Sequence, residues 1–368
     1  MTGRPRYVIA CLAGNGIGPE MMAEASRALA EVSSLHGFCV DEVHPPFASE
    51  AMTRAGHPLP PATRHATLGA EAVLVAGSTQ PALEGVKAEL DLAATVVRTQ
   101  IADGGDVTVF APVQNGTEEW AVERVFDSAK VRDGRLVSVG VDDTWSARVD
   151  RVAESHPGVA VRHLTLAQAL HELSTSPSSL RVVVTERLLA DALADAPRLR
   201  GSRSRTATGF LSASGPSLFG PTHGSAHDIA GQGVANPTEM LLAVALLLGE
   251  GLGRHAAAET LEGSVAAALR RPERTPADAP RRVTRALRRP ARRAHGKRLT
   301  RLVEVPLDPG KPGAPVRAAY PADRPREVRD APVLGHEPKR RVRERAQLEV
   351  EADRVEQQPR VVDEAVRA

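Results

Sequence analysis

Aromatic residues make up only 3% of this 368-residue chain. Tyr7 and Tyr320 are its only tyrosines, so any chemistry that needs a phenol must come from one of those two. There are also only two cysteines, Cys11 and Cys39, which excludes a disulfide framework and suits a reducing compartment. Long apolar runs are absent. Leu241–Leu252 reads LLAVALLLGEGL, too short and too interrupted to span a bilayer, and is read as a buried helix. Tyr7–Leu12 is shorter still and leads straight into a Gly turn, so no signal peptide is expected and the chain is placed in the cytoplasm, away from membranes. The formal net charge of +2 hides a split. From Arg270 onward there are 26 Lys/Arg against 15 Asp/Glu, whereas the preceding body has 21 against 30.

Short apolar runs recur along the body: YVIACLA, AVLVAG, VTVFAPV, LVSVGV and RVVVT. Each has the form of a buried strand. Ala- and Leu-rich stretches such as MMAEASRALAEVSSL, with helical character, lie between several of them. This alternation predicts an α/β fold, and the length allows one large or two medium domains. No internal repeat is visible.

Three segments carry more specific information. His223–Pro237 reads HGSAHDIAGQGVANP, a Gly-rich loop with one acid, Asp228, and one amide, Asn236, that opens an apolar helix at Pro237. Small residues let a flat ligand lie against backbone, and a carboxylate can accept hydrogen bonds from ribose hydroxyls. Ala13–Ala25 reads AGNGIGPEMMAEA; its glycines at positions 14, 16 and 18 suit a tight turn, and Pro19 suits the first helical position. Arg181–Pro197 reads RVVVTERLLADALADAP, a strand followed by a helix with Asp191 and Asp195 on one face. Oxygen ligands so placed suit a hard divalent cation, although a solvated amphipathic face has the same pattern.

Together these segments resemble the isopropylmalate and isocitrate dehydrogenase family, the β-decarboxylating dehydrogenases. The family writes the first segment HGSAPDIAGKGIANP, the second PGDGIGPEV, and the third roughly VIVTNLFGDILSDEA. The resemblance implies two α/β domains around a large mixed sheet and a homodimer. It also implies an oxidoreductase reaction in which NAD oxidises a 2-hydroxy acid that then loses CO2 with the help of Mg2+ or Mn2+. Carried over residue by residue, it makes His223, Gly224, Ser225, Ala226, Asp228 and Asn236 cofactor-binding residues and Asp191 and Asp195 metal ligands. Lys87 and Arg98 become the remnant of an arginine clamp on the substrate carboxylates, Arg98 only by a one-residue slip. Asp228 favours NAD, because its charge would repel the 2′-phosphate of NADP.

The departures fall on the chemistry. The family's Tyr segment is replaced by APVQNGTEEW, Ala111–Trp120. The Val-x-Lys-Ala-Asn strand end is replaced by SVGVDDTW, Ser138–Trp145, with Val141 or Asp142 where the Lys belongs. The third metal carboxylate should lie near HLTLAQAL, His163–Leu170, which contains no acid. Gly220 stands where relatives often carry a Glu. No catalytic residue is therefore assigned. Removing one acid or base commonly lowers a rate by about 10²–10⁴-fold, so impaired turnover is expected. The alternative is an inactive relative that binds a dinucleotide or serves as the regulatory partner of an active paralogue.

The resemblance ends near Leu269. Residues 1–269 are accordingly assigned to the isopropylmalate dehydrogenase-like α/β pair and 270–368 to a basic tail. That tail is rich in Arg, Pro, Ala and Val and lacks Ile, Phe, Trp, Met, Cys and Asn. It is read as disordered, or as the product of a shifted reading frame, with a helix near 340–362. Only Tyr320 interleaves its Arg runs, so no stacking platform for nucleic acid is expected. The histidines His163, His171 and His255 have no metal-ligand spacing, and His44–Gly69 is read as scaffold.

Overall fold

The computed structural model describes residues 4–76, 82–101, 105–197 and 204–269. The basic tail and its expected helix lie outside the described residues. The five apolar runs all form strands: β1 (Arg6–Leu12), β3 (Ala72–Val75), β5 (Asp106–Pro112), β6 (Arg135–Val139) and β8 (Val182–Thr185). β2 (Cys39–Val43), β4 (Leu92–Gln100), β7 (Ala160–Leu164), β9 (Arg205–Ser212) and β10 (Ser217–Pro221) complete one ten-stranded sheet.

Its order is β2-β1-β3-β10-β9-β4-β5-β8-β6-β7. Two parallel wings, β2-β1-β3-β10 and β5-β8-β6-β7, flank a centre in which β10, β9, β4 and β5 pair antiparallel. Three antiparallel steps separate the wings, so the wings run in opposite directions.

One face of the sheet is covered continuously. α1 (Gly18–His36), α5 (Glu118–Arg132), α6 (Asp143–Ala153), α9 (Thr238–Leu246) and α10 (His255–Leu269) join Ile9, Leu74, Val96, Phe110, Val184 and Phe219 in a single apolar cluster. Met240–Leu248 are all buried, as expected of a helix apolar all round, and the helix continues into a π-helical turn at Leu247–Gly251. The opposite face carries two separate clusters. One involves Phe47 and Ala48, just before α2 (Ser49–Ala55), with α3 (Pro61–Gly69) and α4 (Ala82–Glu89) on β1, β3 and β10. The other involves α7 (Leu166–Thr175) and α8 (Arg187–Asp195) on β5, β6 and β8. Between them lie Thr95 and Val97 of β4 and Thr206 and Thr208 of β9, which belong to neither cluster. Among the described residues no helix is long and apolar enough to cross a membrane.

Candidate functional site

The two Gly-rich segments meet. Gly14 and Gly16 take φ of 71° and 60°, a left-handed conformation that glycine adopts without cost. Pro19 stands in the first turn of α1, where its missing N–H costs nothing. From this turn the Ile17 N–H donates to the carbonyl of Ser225 at 2.8 Å. In the first turn of α1, Glu20 accepts from the Gly231 N–H at 2.9 Å. Asn15 Oδ1 accepts from the Ser49 N–H at 2.9 Å, tying the turn to α2 as well. A Cβ on Gly18 would stand 1.8 Å from the Ala13 carbonyl oxygen and 2.6 Å from that of Ala76, so only glycine fits there.

Within the 223–236 loop, Ala226 sits at φ 37°, left-handed for a residue with a Cβ. Such strain costs about 1–3 kcal/mol and persists only where neighbours hold it. Gly224, Ala226, His227 and Asp228 are exposed. The Asp228 backbone carbonyl accepts from Gln232 Nε2 at 2.8 Å, while its carboxylate has no protein partner among the described residues. Asn236 is placed differently. Its Oδ1 accepts from the N–H of Thr238 at 3.0 Å and from the Thr238 hydroxyl, which caps the start of α9.

His223 Nδ1 lies 3.0 Å from the Gly224 carbonyl, and its Nε2 is buried without a partner. The ring lines a small cavity with Val75, Leu83, Thr208, Phe210 and Gly220. Gly220 stays small for a local reason: a Cβ would meet the Val75 side chain and carbonyl at 2.9 Å. Lys87 reaches the same region, its Nζ 4.2 Å from the Phe210 ring centroid and 3.0 Å from Glu84 Oε1. Phe210 therefore connects the expected cofactor-side His223 to the expected substrate-side Lys87, a link with no signal in the spacing of the sequence.

Arg98 requires a correction. Strand side chains alternate between faces, so a slip of one residue reverses direction. Val97 shares the face of Thr95, toward the gap between the two helical clusters. Arg98 points the other way and is 1% exposed. Its Nε donates to Thr108 Oγ1 at 3.0 Å, its guanidinium pairs with Glu262 of α10, and Asp106 lies 3.8 Å away. Arg98 thus belongs to an internal ion network that also includes Arg132, not to a substrate clamp.

The expected metal pair lies on α8, which packs on β5 and β4. Asp191 and Asp195 are both on its exposed side. Asp191 lines a cavity of about 680 Å³ with Pro112, Asn115, Glu118, Asp142, Arg148 and Glu186, at the C-terminal ends of β5, β6 and β8. The surrounding acids are already engaged. Asp142 Oδ1 accepts from the N–H groups of Thr144 and Trp145 to cap α6, and Glu186 accepts from the Val141 N–H at 2.7 Å. Of Val141 and Asp142, the two positions where the resemblance would put a lysine, Asp142 serves as a helix cap. No third His, Cys, Asp or Glu converges on Asp191 and Asp195 among the described residues, so this chain alone does not complete a divalent-cation site there.

The Gly-rich 223–236 loop is seated on the Gly turn after β1, and a separate cavity lined by Asp142, Glu186 and Asp191 lies at the C-terminal ends of β5, β6 and β8. Comparison with known proteins places the chain. The family model for isocitrate/isopropylmalate dehydrogenase matches residues 8–100 and 135–285, and the chain belongs to that family. The unmatched stretch, 101–134, contains β5 and α5. A Synechococcus 3-isopropylmalate dehydrogenase is 32% identical, over 72% of this chain and 91% of its own. A chloroplastic 3-isopropylmalate dehydrogenase of Arabidopsis thaliana is 30% identical, over 74% and 83%. Among solved structures, a β-decarboxylating dehydrogenase from Thermococcus kodakarensis superposes with a TM-score of 0.67 at 23% identity, covering 79% of this chain and 97% of that one. Isocitrate dehydrogenase from Methylococcus capsulatus gives 0.60 at 20%, over 77% and 99%. These two likenesses bear on the fold, and they agree with the expected large mixed sheet.

Proposed function

We propose that this chain binds NAD through the 223–236 loop and is a severely impaired 2-hydroxy-acid dehydrogenase of the β-decarboxylating type. The observation that carries this reading is the docking of Ser225 on the Ile17 turn with the Asp228 carboxylate exposed and uncommitted. His223, Gly224, Ser225 and Ala226 would line the adenosine, and Asp228 would accept from the ribose hydroxyls. Asn236 would act indirectly, by holding the start of α9. A bound nicotinamide ring would supply a hydride acceptor. Lys87, over the Phe210 ring, is a cation that could hold a substrate carboxylate. Neither Val141 nor Asp142, where a proton-transferring lysine is expected, can move a proton as a lysine would, and Asp142 is engaged in capping α6; this supports impairment.

The test is a thermal melt of the full chain with NAD, with NADP, and with neither. A ligand at about 100 times its Kd stabilises by about 2.7 kcal/mol. NAD should raise the melting temperature, NADP should do so less, and Asp228→Ala should abolish the rise without lowering the unliganded value. No shift from a folded sample with either nucleotide would overturn the reading.

A second reading has its own observation. Leu188 is 81% exposed at the rim of the acidic cavity, and neighbouring Val141 is 62% exposed. An apolar pair beside an incomplete site favours pairing with a second subunit, either a copy of this chain or an active paralogue. Sedimentation of the chain alone and with a paralogue, repeated for Leu188→Glu, distinguishes these. A monomer under every condition would refute the pairing.

A further inference from the structure

We propose that Cys11, Glu42 and His44 form a site for a divalent transition metal of the Zn2+ type at the β1–β2 edge of the sheet, separate from the dinucleotide loop and from Asp191. The register of the two parallel strands creates it. Ile9 pairs with Glu42 and Ala10 with Val43, so the next step brings His44 alongside Cys11. Strand alternation puts Cys11, Glu42 and His44 on the face that packs against α1, where the Ser26 hydroxyl donates to Glu42 Oε2.

The three donor atoms already converge. Cys11 Sγ is 3.8 Å from Glu42 Oε2, His44 Nε2 is 3.1 Å from that same oxygen, and all three lie within 4.8 Å of one another. Zinc bonds of about 2.0–2.3 Å in tetrahedral geometry require donors roughly 3.3–3.7 Å apart, so only small side-chain movements are needed. A thiolate and a carboxylate neutralise the two positive charges, and the imidazole coordinates as a neutral ligand. The thiolate and imidazole select a borderline-soft metal over Mg2+, which prefers oxygen.

Burial, reinforced by Glu42, pushes the Cys11 thiol well above its ordinary pKa, so without metal it is a neutral thiol. Coordination displaces that proton to solvent. His44 has half of its side chain exposed, which provides an entry path and leaves a fourth position for water. The site joins β1, which leads into the Gly turn, to β2, which leads toward Ser49, the residue Asn15 holds. A metal there would brace both sides of that turn.

The experiment uses the full chain, stripped with chelator and titrated with Cd2+ in the absence of nucleotide, reading the ultraviolet thiolate-to-cadmium charge-transfer band. One equivalent of band should form, and Zn2+ should compete it away. Cys11→Ser should abolish the band, and Cys39→Ser should leave it intact. His44→Ala, a change at an exposed position that folding should tolerate, should weaken affinity on the order of tenfold or more. Asp191→Ala should change nothing, because Asp191 and Asp195 offer only oxygens and give no such band. The proposal is overturned if folded wild type gives no band, if the band survives Cys11→Ser, or if His44→Ala binds Cd2+ as tightly as wild type.

Discussion

Ile17 and Ser225, more than two hundred residues apart, share a backbone hydrogen bond of 2.8 Å, and it is the close approach at Gly16 that permits it. A Cβ on Gly16 would stand 1.9 Å from the Ser225 carbonyl oxygen, at a φ of 60°. Gly16→Ala should therefore separate the turn from the loop. Gly37 provides the control, because it has a similar φ of 72° with nothing within 4 Å of its missing Cβ. Gly37→Ala should lower stability by about 1 kcal/mol, the conformational penalty alone. Gly16→Ala should cost more than that and also remove the NAD-dependent rise in melting temperature. Equal costs for the two variants would mean that the loop yields easily.

The buried Arg98 leads to a different expectation. Removing one member of a buried ion pair strands its partner and costs about 3–5 kcal/mol. Arg98→Ala leaves Glu262 and Asp106 with only part of their compensation, so its urea midpoint should fall accordingly while any nucleotide-induced shift persists. Lys87→Ala, which removes a partly exposed cation from the Phe210 ring, should cost about 1 kcal/mol or less. A stability-neutral Arg98→Ala would reopen a role for that residue at the ligand site.

His36 connects α1 to α10, its Nε2 2.9 Å from Thr260 Oγ1. Burial lowers its pKa below the ordinary 6.5. The unfolded chain therefore takes up this proton first as pH falls, and the proton draws the equilibrium toward unfolding. The penalty is absent above the unfolded pKa of about 6.5, grows below it, and levels off once the pH is below the folded value. Denaturation curves at successive pH values should show this loss, and His36→Gln should flatten it.

Asn236 should act through α9. Asn236→Ala removes the acceptor for the Thr238 N–H and should destabilise by about 1 kcal/mol. If its role is wholly to hold the helix start, Asn236→Ser should restore both the stability and the nucleotide-dependent shift. Recovery of stability without recovery of the shift would instead place the Asn236 side chain in contact with the nucleotide.

The strands at Tyr7, Ala72, Val107, Leu136 and Val182 were legible because buried strands are short continuous apolar runs, and α9 because a buried helix is apolar all round. The Gly turn and the loop around Asp228 were legible because backbone that must turn tightly or accept a close neighbour admits few residue types.

Arg98 was not legible. Whether a residue of β4 faces the gap or the core depends on strand register, and one position decides between a clamp and an internal ion pair. Phe210 beneath Lys87 was equally hidden, since it belongs to a strand more than a hundred residues away. The same holds for Cys11, Glu42 and His44, which converge only because β1 and β2 pair in parallel at one particular offset. The sequence by itself determined the family and the local turns, because these depend on residue types and on neighbours along the chain. The tertiary structure alone decided which side chains share a face or a cavity, because strand pairing and sheet order join residues whose separation in sequence carries no trace of their contact.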